Sequence, residues 1–381
     1  MIVAVSALAA LMAALISRRL ALPVVVLEIV FGIIVGPEVL GLAQPNDFIQ
    51  FFANLGLGML FFFAGYEIDF KRIAGTPLRL ALLGWMLSLA LAYSIGGLLT
   101  LAGVVVSLLF TGSAMATTAI GVLIPILGDA GELRTRFGKF LLGAGAVGEF
   151  GPILLVTLVL STHNAASSAL ILIAFVLLAV LASLLAVRSV KLGWDVFERT
   201  LETSGQLAVR LTVVVTFALV ALAASLGLDL LLGGFVAGLI ARSALVGREV
   251  KLLESKLVAV GYGFFIPFFF VVTGIKFDID SLFASVGALL KLPLFVALFL
   301  VVRGVPALLL YRRAMHFRDR LALGLFSSTQ LPLVVAITTI AVADGHMHSS
   351  TAAALVAAGV VSTLVFPLLG LRVRAKVAVP A

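Results

Sequence analysis

One feature constrains this chain more than any other: apolar runs of about 20 residues recur from one end to the other. A bilayer core about 30 Å thick requires runs of about that length, because a helix rises about 1.5 Å per residue. Strand-length segments of alternating polarity are missing, which argues against an outer-membrane barrel. Only 12% of the 381 residues are charged and the mean hydropathy is +1.27. A soluble globule carries about 25% charged residues, so this chain could not cover itself with a water-facing surface. The expectation is an all-α polytopic membrane protein.

Thirteen spans are expected, near 2–17, 21–36, 51–66, 78–98, 101–127, 137–161, 167–190, 206–226, 228–246, 258–277, 281–312, 318–342 and 349–371. The loops test that count, because Lys and Arg collect on the cytoplasmic side. Loops after odd-numbered spans, with the span ends that border them, hold 22 of the 26 basic residues, from Arg18 and Arg19 to Arg372, Arg374 and Lys376. Loops after even-numbered spans hold Lys276, while Arg210, Lys291 and Arg303 fall inside spans. The alternation puts the N-terminus outside and the C-terminus in the cytoplasm. The net charge of +8 is thus a topology signal rather than a nucleic-acid footprint. The first span has no basic leader and precedes Arg18 and Arg19, the reverse of a cleavable signal. With no cysteine there is no thiol nucleophile and no cysteine metal site.

Segments seven spans apart echo each other. Gly65 in Leu55–Asp69 matches Gly274 in Val260–Asp278, an offset of 209. Gly32 matches Gly238 at 206, Gly145 matches Gly359 at 214, and Pro152 matches Pro367 at 215. Seven is odd, so the copies cross the membrane in opposite senses, as in the inverted repeats of secondary transporters.

Span 5 (Leu109-Phe-Thr-Gly-Ser-Ala-Met-Ala-Thr-Thr-Ala) and span 12 (Leu325-Phe-Ser-Ser-Thr-Gln-Leu-Pro) each place a hydroxyl-rich, Gly- or Pro-interrupted stretch at membrane depth. Unwound backbone is tolerated there only where protein or a water cavity satisfies it. Its freed oxygens suit small cations, which makes Thr117, Thr118, Ser328, Thr329 and Gln330 candidate ligands.

Four charges look embedded: Glu28, Glu149, Lys291 and Arg303. Each costs about 2.5–3.5 kcal/mol at the bilayer centre on permissive scales. Glu149 and Arg303 fall at similar depth, and pairing would offset much of that cost. Glu149 is the candidate group for binding a proton or a cation, and Arg303 is its candidate supporting charge. Glu28 sits where headgroups or Arg19 are in reach, and Lys291 can snorkel. His163, His316, His346 and His348 lie in loops, no Ser/His/Asp set converges, and no enzyme activity, cofactor or resident metal is expected.

Gly32–Pro37, Phe61–Asp69, Thr117-Thr118, Gly131–Leu133, Gly143–Pro152, Gly233–Leu239 and Phe268–Gly274 together carry a resemblance. In order and spacing the chain resembles the membrane domain of Kef-type transporters, the monovalent cation:proton antiporter-2 family, over essentially its full length. The resemblance implies a homodimer in the cell (inner) membrane that exchanges Na⁺ or K⁺ for H⁺. It also implies a dimerisation domain in two parts (1–77 and 206–280), a mobile core in two parts (78–161 and 281–381), and a linking helix within 162–205. The ion-binding aspartate of the family falls on Glu149, its usual polar neighbour on Gly148, and its basic residue on Arg303. The family's usual cytosolic nucleotide-binding domain is not expected, because the chain ends ten residues after span 13.

One carboxylate that takes a proton or a cation in turn suffices for antiport, and a single acid at mid-membrane depth points to electroneutral one-for-one exchange. The alternative is a sodium-coupled symporter of an organic anion on a related inverted-repeat fold.

Overall fold

The computed structural model describes residues 1–16, 24–67, 73–159, 200–226, 230–245 and 251–375, with residue 228 and scattered positions of 173–188. Every regular element among them is helical. In chain order these are α1 (Ile2–Ile16), α2 (Val24–Val35), α3 (Asp47–Glu67), α4 (Thr76–Leu101), α5 (Leu108–Met115), α6 (Ile120–Asp129) and α7 (Arg136–Val159). Then follow α8 (Leu207–Ser225), α9 (Leu230–Leu245), α10 (Lys251–Val260), α11 (Ile266–Ile275), α12 (Ile279–Phe283), α13 (Val286–Phe299) and α14 (Val305–Leu310). The last are α15 (Phe317–Ser327), α16 (Pro332–Ala343) and α17 (Ser349–Ala375). Single π turns, Gly261–Phe265 and Leu300–Gly304, join α10 to α11 and α13 to α14 without ending the helical path.

Among the described residues eight helices are long and apolar enough to cross a membrane: Asp47–Glu67, Thr76–Leu101, Arg136–Leu155, Leu207–Ser225, Lys251–Ile275, Val286–Arg313, Phe317–Ala343 and Ser349–Arg374. Their starts correct two expected spans. The tenth is already helical at Lys251 rather than from near 258, taking in residues read as loop. The eleventh begins at Val286, because Asp278 and Ser285 each cap a new helix, accepting from the N–H groups of Ser281 at 2.8 Å and Ala288 at 3.0 Å. The linking helix expected in 162–205 lies largely outside the described residues, as do Arg18, Arg19 and His163.

The chain forms two compact units. The first combines 1–6, 45–69 and 153–272. Within it α3 and α9 approach so closely that a Cβ on Gly65 would strike the Phe235 carbonyl, and one on Gly238 the Phe62 carbonyl. Lipid tails are as apolar as the helices, so backbone proximity of this kind holds membrane helices together.

The second unit combines 7–44, 70–152 and 273–381. Its interior holds both interrupted helices, α5/α6 and α15/α16. α5 stops at Met115 and α6 starts at Ile120, leaving Ala116–Ala119 outside regular helix. α15 stops at Ser327 and α16 starts at Pro332. A proline disfavours helical backbone in the residue before it, and Leu331 takes φ −160°.

Candidate ion-binding site

The two interruptions meet and satisfy each other. The Ala119 N–H donates to the Thr329 carbonyl at 2.8 Å, and the Thr118 N–H to the Gly148 carbonyl at 3.0 Å. The Gln330 side chain spans the junction: its Nε2 donates to the Met115 carbonyl at 2.8 Å and its Oε1 accepts from Thr117 Oγ1 at 3.1 Å. Ser362 Oγ of α17 lies 3.0 Å from both the Gln330 N–H, from which it accepts, and the Gln330 carbonyl. Trp85 Nε1 of α4 donates to the Ala116 carbonyl at 3.2 Å. The unwound backbone is thus satisfied by protein.

Arg303 enters this junction from the π turn that interrupts α13 and α14. It is 5% exposed. Its Nε donates to Thr118 Oγ1 at 3.0 Å, Nη1 to Ser88 Oγ at 3.1 Å and Nη2 to the Ala144 carbonyl at 3.2 Å. Thr118 relays the contact, donating its own hydroxyl to the Ser327 carbonyl at 2.6 Å. The guanidinium therefore pins both interruptions, α4 and α7 at once. π turns inside helices often mark functional positions, and this one carries the buried cation.

Glu149 is 2% exposed in α7. Its carboxyl group lies against the backbone N–H groups of Ile120 and Gly121, the first turn of α6, while Oε2 has no hydrogen-bond partner. An interrupted helix thus turns its positive end towards the acid. The expected pairing with Arg303 is corrected: no ion pair joins them, because the guanidinium is spent on hydroxyl and carbonyl oxygens and the acid faces α6 instead.

Gly148, next to the acid, is where Arg303 gains its room. A Cβ there would sit 2.5 Å from Arg303 Nη2 and 2.7 Å from Thr118 Oγ1. Of the candidate ligands, Thr117, Thr118 and Gln330 converge at the junction. Ser328 and Thr329 turn their hydroxyls back to the Gly324 and Leu325 carbonyls at 2.7 and 3.5 Å, so Thr329 joins through its main chain. Glu28 is buried rather than reaching outward, and Lys291 donates to Thr351 Oγ1 at 2.8 Å. Sequence reasoning missed Ser88 and Ser362; a lone hydroxyl inside an apolar span was the available signal. Among the described residues no group of three His, Asp or Glu could hold a resident metal, and His346 stacks on Phe110 at 5.2 Å.

Residues 6–371 match the family described as sodium/hydrogen exchanger, transmembrane. The chain belongs to that family. Among its relatives, YjbQ of Bacillus subtilis is 28% identical over 369 residues, 92% of this chain and 59% of that protein. The Na⁺/H⁺ antiporter of Enterococcus hirae is 24% identical over 360 residues, covering 93% of this chain and 92% of its own length. GerN of Bacillus cereus, named an Na⁺/H⁺-K⁺ antiporter, is 24% identical over 290 residues, 74% of this chain and 72% of that one. The solved structure of the sodium proton antiporter MjNhaP1 from Methanocaldococcus jannaschii superposes with a TM-score of 0.68 at 15% identity, covering 99% of this chain and 95% of that one. That likeness shows a shared fold. The chain groups with transporters rather than enzymes, and the sodium-coupled symporter finds no support among these relatives.

Proposed function

We propose that the chain exchanges Na⁺ or K⁺ for protons, with Glu149 holding proton or cation in turn. One observation carries the reading: a fully buried carboxyl, with one oxygen lacking a hydrogen-bond partner, faces the start of an interrupted helix at the junction of two such helices. A proton on Glu149 removes the charge that would hold the cation, so the two occupants exclude each other. The ligand roles of Thr117, Thr118 and Gln330, and of the Thr329 main chain, belong to this reading, as does Arg303 as a fixed counter-charge that never leaves the site. The names of the relatives support Na⁺, and GerN supports K⁺.

The finer architecture is part of the same proposal. Among the described residues, eight long helices and five shorter apolar ones support thirteen spans. Two interrupted helices, α5/α6 and α15/α16, support two inverted six-span repeats. The arginine-rich loops support a C-terminus in the cytoplasm, an external N-terminus and residence in the inner membrane. A Kef-type branch, a homodimer embedded in lipid, and a core of 78–161 and 281–381 moving against 1–77 and 206–280 complete the picture. Exchange is one-for-one and electroneutral.

The test is Glu149→Gln in proteoliposomes. The variant keeps the size and most of the hydrogen-bonding capacity but binds no cation by charge, so Na⁺- or K⁺-driven proton efflux is expected to vanish while the protein stays monodisperse. Normal exchange by this variant refutes the proposal.

A further inference from the structure

At the ends of its membrane helices the second unit contains an open pocket of about 530 Å³, lined among others by Arg136, Arg312, Arg313, His316, Asp319 and Arg374. Its charges divide into two groups. Arg374 is neutralised by Glu132, at 2.9 Å through both Nε and Nη2, and by Asp319 Oδ1 at 2.5 Å from Nη1; it also lies 4.5 Å over the Phe137 ring. This clamp ties the end of α17 to the start of α15 and to the turn before α7. Arg136, Arg312 and Arg313 are exposed, and among the described residues none of the three has a carboxylate partner. The clamp sets two carboxylates against one guanidinium, so with Arg136, Arg312 and Arg313 the cluster keeps a net charge of +2 around a volume far larger than a counter-ion needs. His316 stands at the N-cap of α15 without a side-chain cap, leaving that positive helix end open beside them.

Position narrows the ligand. Arg136 opens one membrane-crossing helix and Arg313 closes another, so the pocket lies where spans meet the headgroup layer. Guanidinium forks match phosphate oxygens in pairs, and basic pockets between membrane helices on the arginine-rich side suit phosphate-bearing headgroups. Orientation alone would need arginines in the loops; it would not need them gathered around a cavity.

We propose that this pocket binds a phosphate group, presented by an anionic lipid headgroup or by a soluble phosphate. The inference is independent of the exchange reading, since none of these residues touches the ion-binding junction.

The test titrates the delipidated full-length protein with phosphatidylglycerol, phosphatidylcholine and inorganic phosphate, read by native mass spectrometry. Retained adducts are expected with phosphatidylglycerol or with inorganic phosphate, and not with phosphatidylcholine. Losing two basic residues, in Arg312→Gln/Arg313→Gln, is expected to weaken the adduct about 30-fold. Arg134→Gln, which removes an exposed arginine of the same face outside the pocket lining, is expected to leave it unchanged. Phosphatidylglycerol binding assigns the lipid source and inorganic phosphate binding the soluble one. Equal binding by the double variant and the wild type overturns the proposal, as does equal weakening in Arg134→Gln or retention of neither ligand.

Discussion

Gly148→Ala is the sharpest perturbation of the site, because it adds one methyl group beside the acid and leaves every ionisable group in place. The new Cβ would lie 2.5 Å from Arg303 Nη2, 2.7 Å from Thr118 Oγ1 and 2.9 Å from Thr118 Cβ. A long side chain usually yields to such an intrusion. Here the guanidinium is fixed by Thr118, Ser88 and the Ala144 carbonyl, and Thr118 is fixed by the Ser327 carbonyl. Overpacking costs about 1–3 kcal/mol. A charge-assisted bond lost from Nη2 adds about 1.5–3 kcal/mol. Replacing glycine inside a helix returns about 1 kcal/mol. The net destabilisation is about 1.5–5 kcal/mol, with a matching loss of exchange as Arg303 lets go of both interruptions. Gly143→Ala, one turn earlier in α7, is the control: its Cβ would meet nothing closer than the Pro77 carbonyl at 3.4 Å. Thermal unfolding of both variants, with proton efflux from proteoliposomes, reads the difference. Arg303→Gln is expected to cost less in the Gly148→Ala background than in the wild type, a coupling of about 1 kcal/mol or more. Additive losses, or equal stability and exchange in the two alanine variants, refute the claim that Gly148 makes room for Arg303.

Two further outcomes follow from contacts elsewhere. Gln330→Leu strips the Met115 carbonyl of its side-chain donor, while the Thr117 hydroxyl keeps the Ala114 carbonyl, and is expected to cost about 1–3 kcal/mol for the unsatisfied group; an unchanged melting temperature would remove Gln330 from the junction. Gly238→Ala drives a Cβ into the backbone of Phe62 and Tyr66, which cannot swing aside, and is expected to cost about 3 kcal/mol or more. Gly263→Ala meets nothing within 4 Å, so fluorescence-detected size exclusion should show folded protein only for the second; equal folded yields would refute the close α3–α9 approach.

Much of this molecule was legible before any coordinates. Apolar run length announces membrane helices because the bilayer fixes the length. The interruptions were legible at Thr117-Thr118 and at Gln330-Leu331-Pro332, where hydroxyls and a proline compete with helical hydrogen bonding. Glu149 and Arg303 stood out because embedded charge is expensive. Their relation did not. A sequence suggests that opposite charges at equal depth pair, yet a carbonyl such as that of Ala144 has no signature in residue type, and neither has a helix end such as that of α6. The π turns escaped for a similar reason: Gly261–Phe265 and Leu300–Gly304 leave the apolar pattern intact while shifting its register. The start of the eleventh span was misplaced because Ser285 looks like any polar residue until it caps a helix.

The hydrogen bonds between the interruptions join positions more than 200 residues apart, such as Thr117 to Gln330 across 213. On the ribosome the first half is made long before the second. Throughout that interval the Met115 carbonyl lacks the donor, and the Ala119 N–H the acceptor, that each has in the finished protein. The first interruption cannot hold its final form until the second arrives to complete it, so each half serves as the other's last folding step.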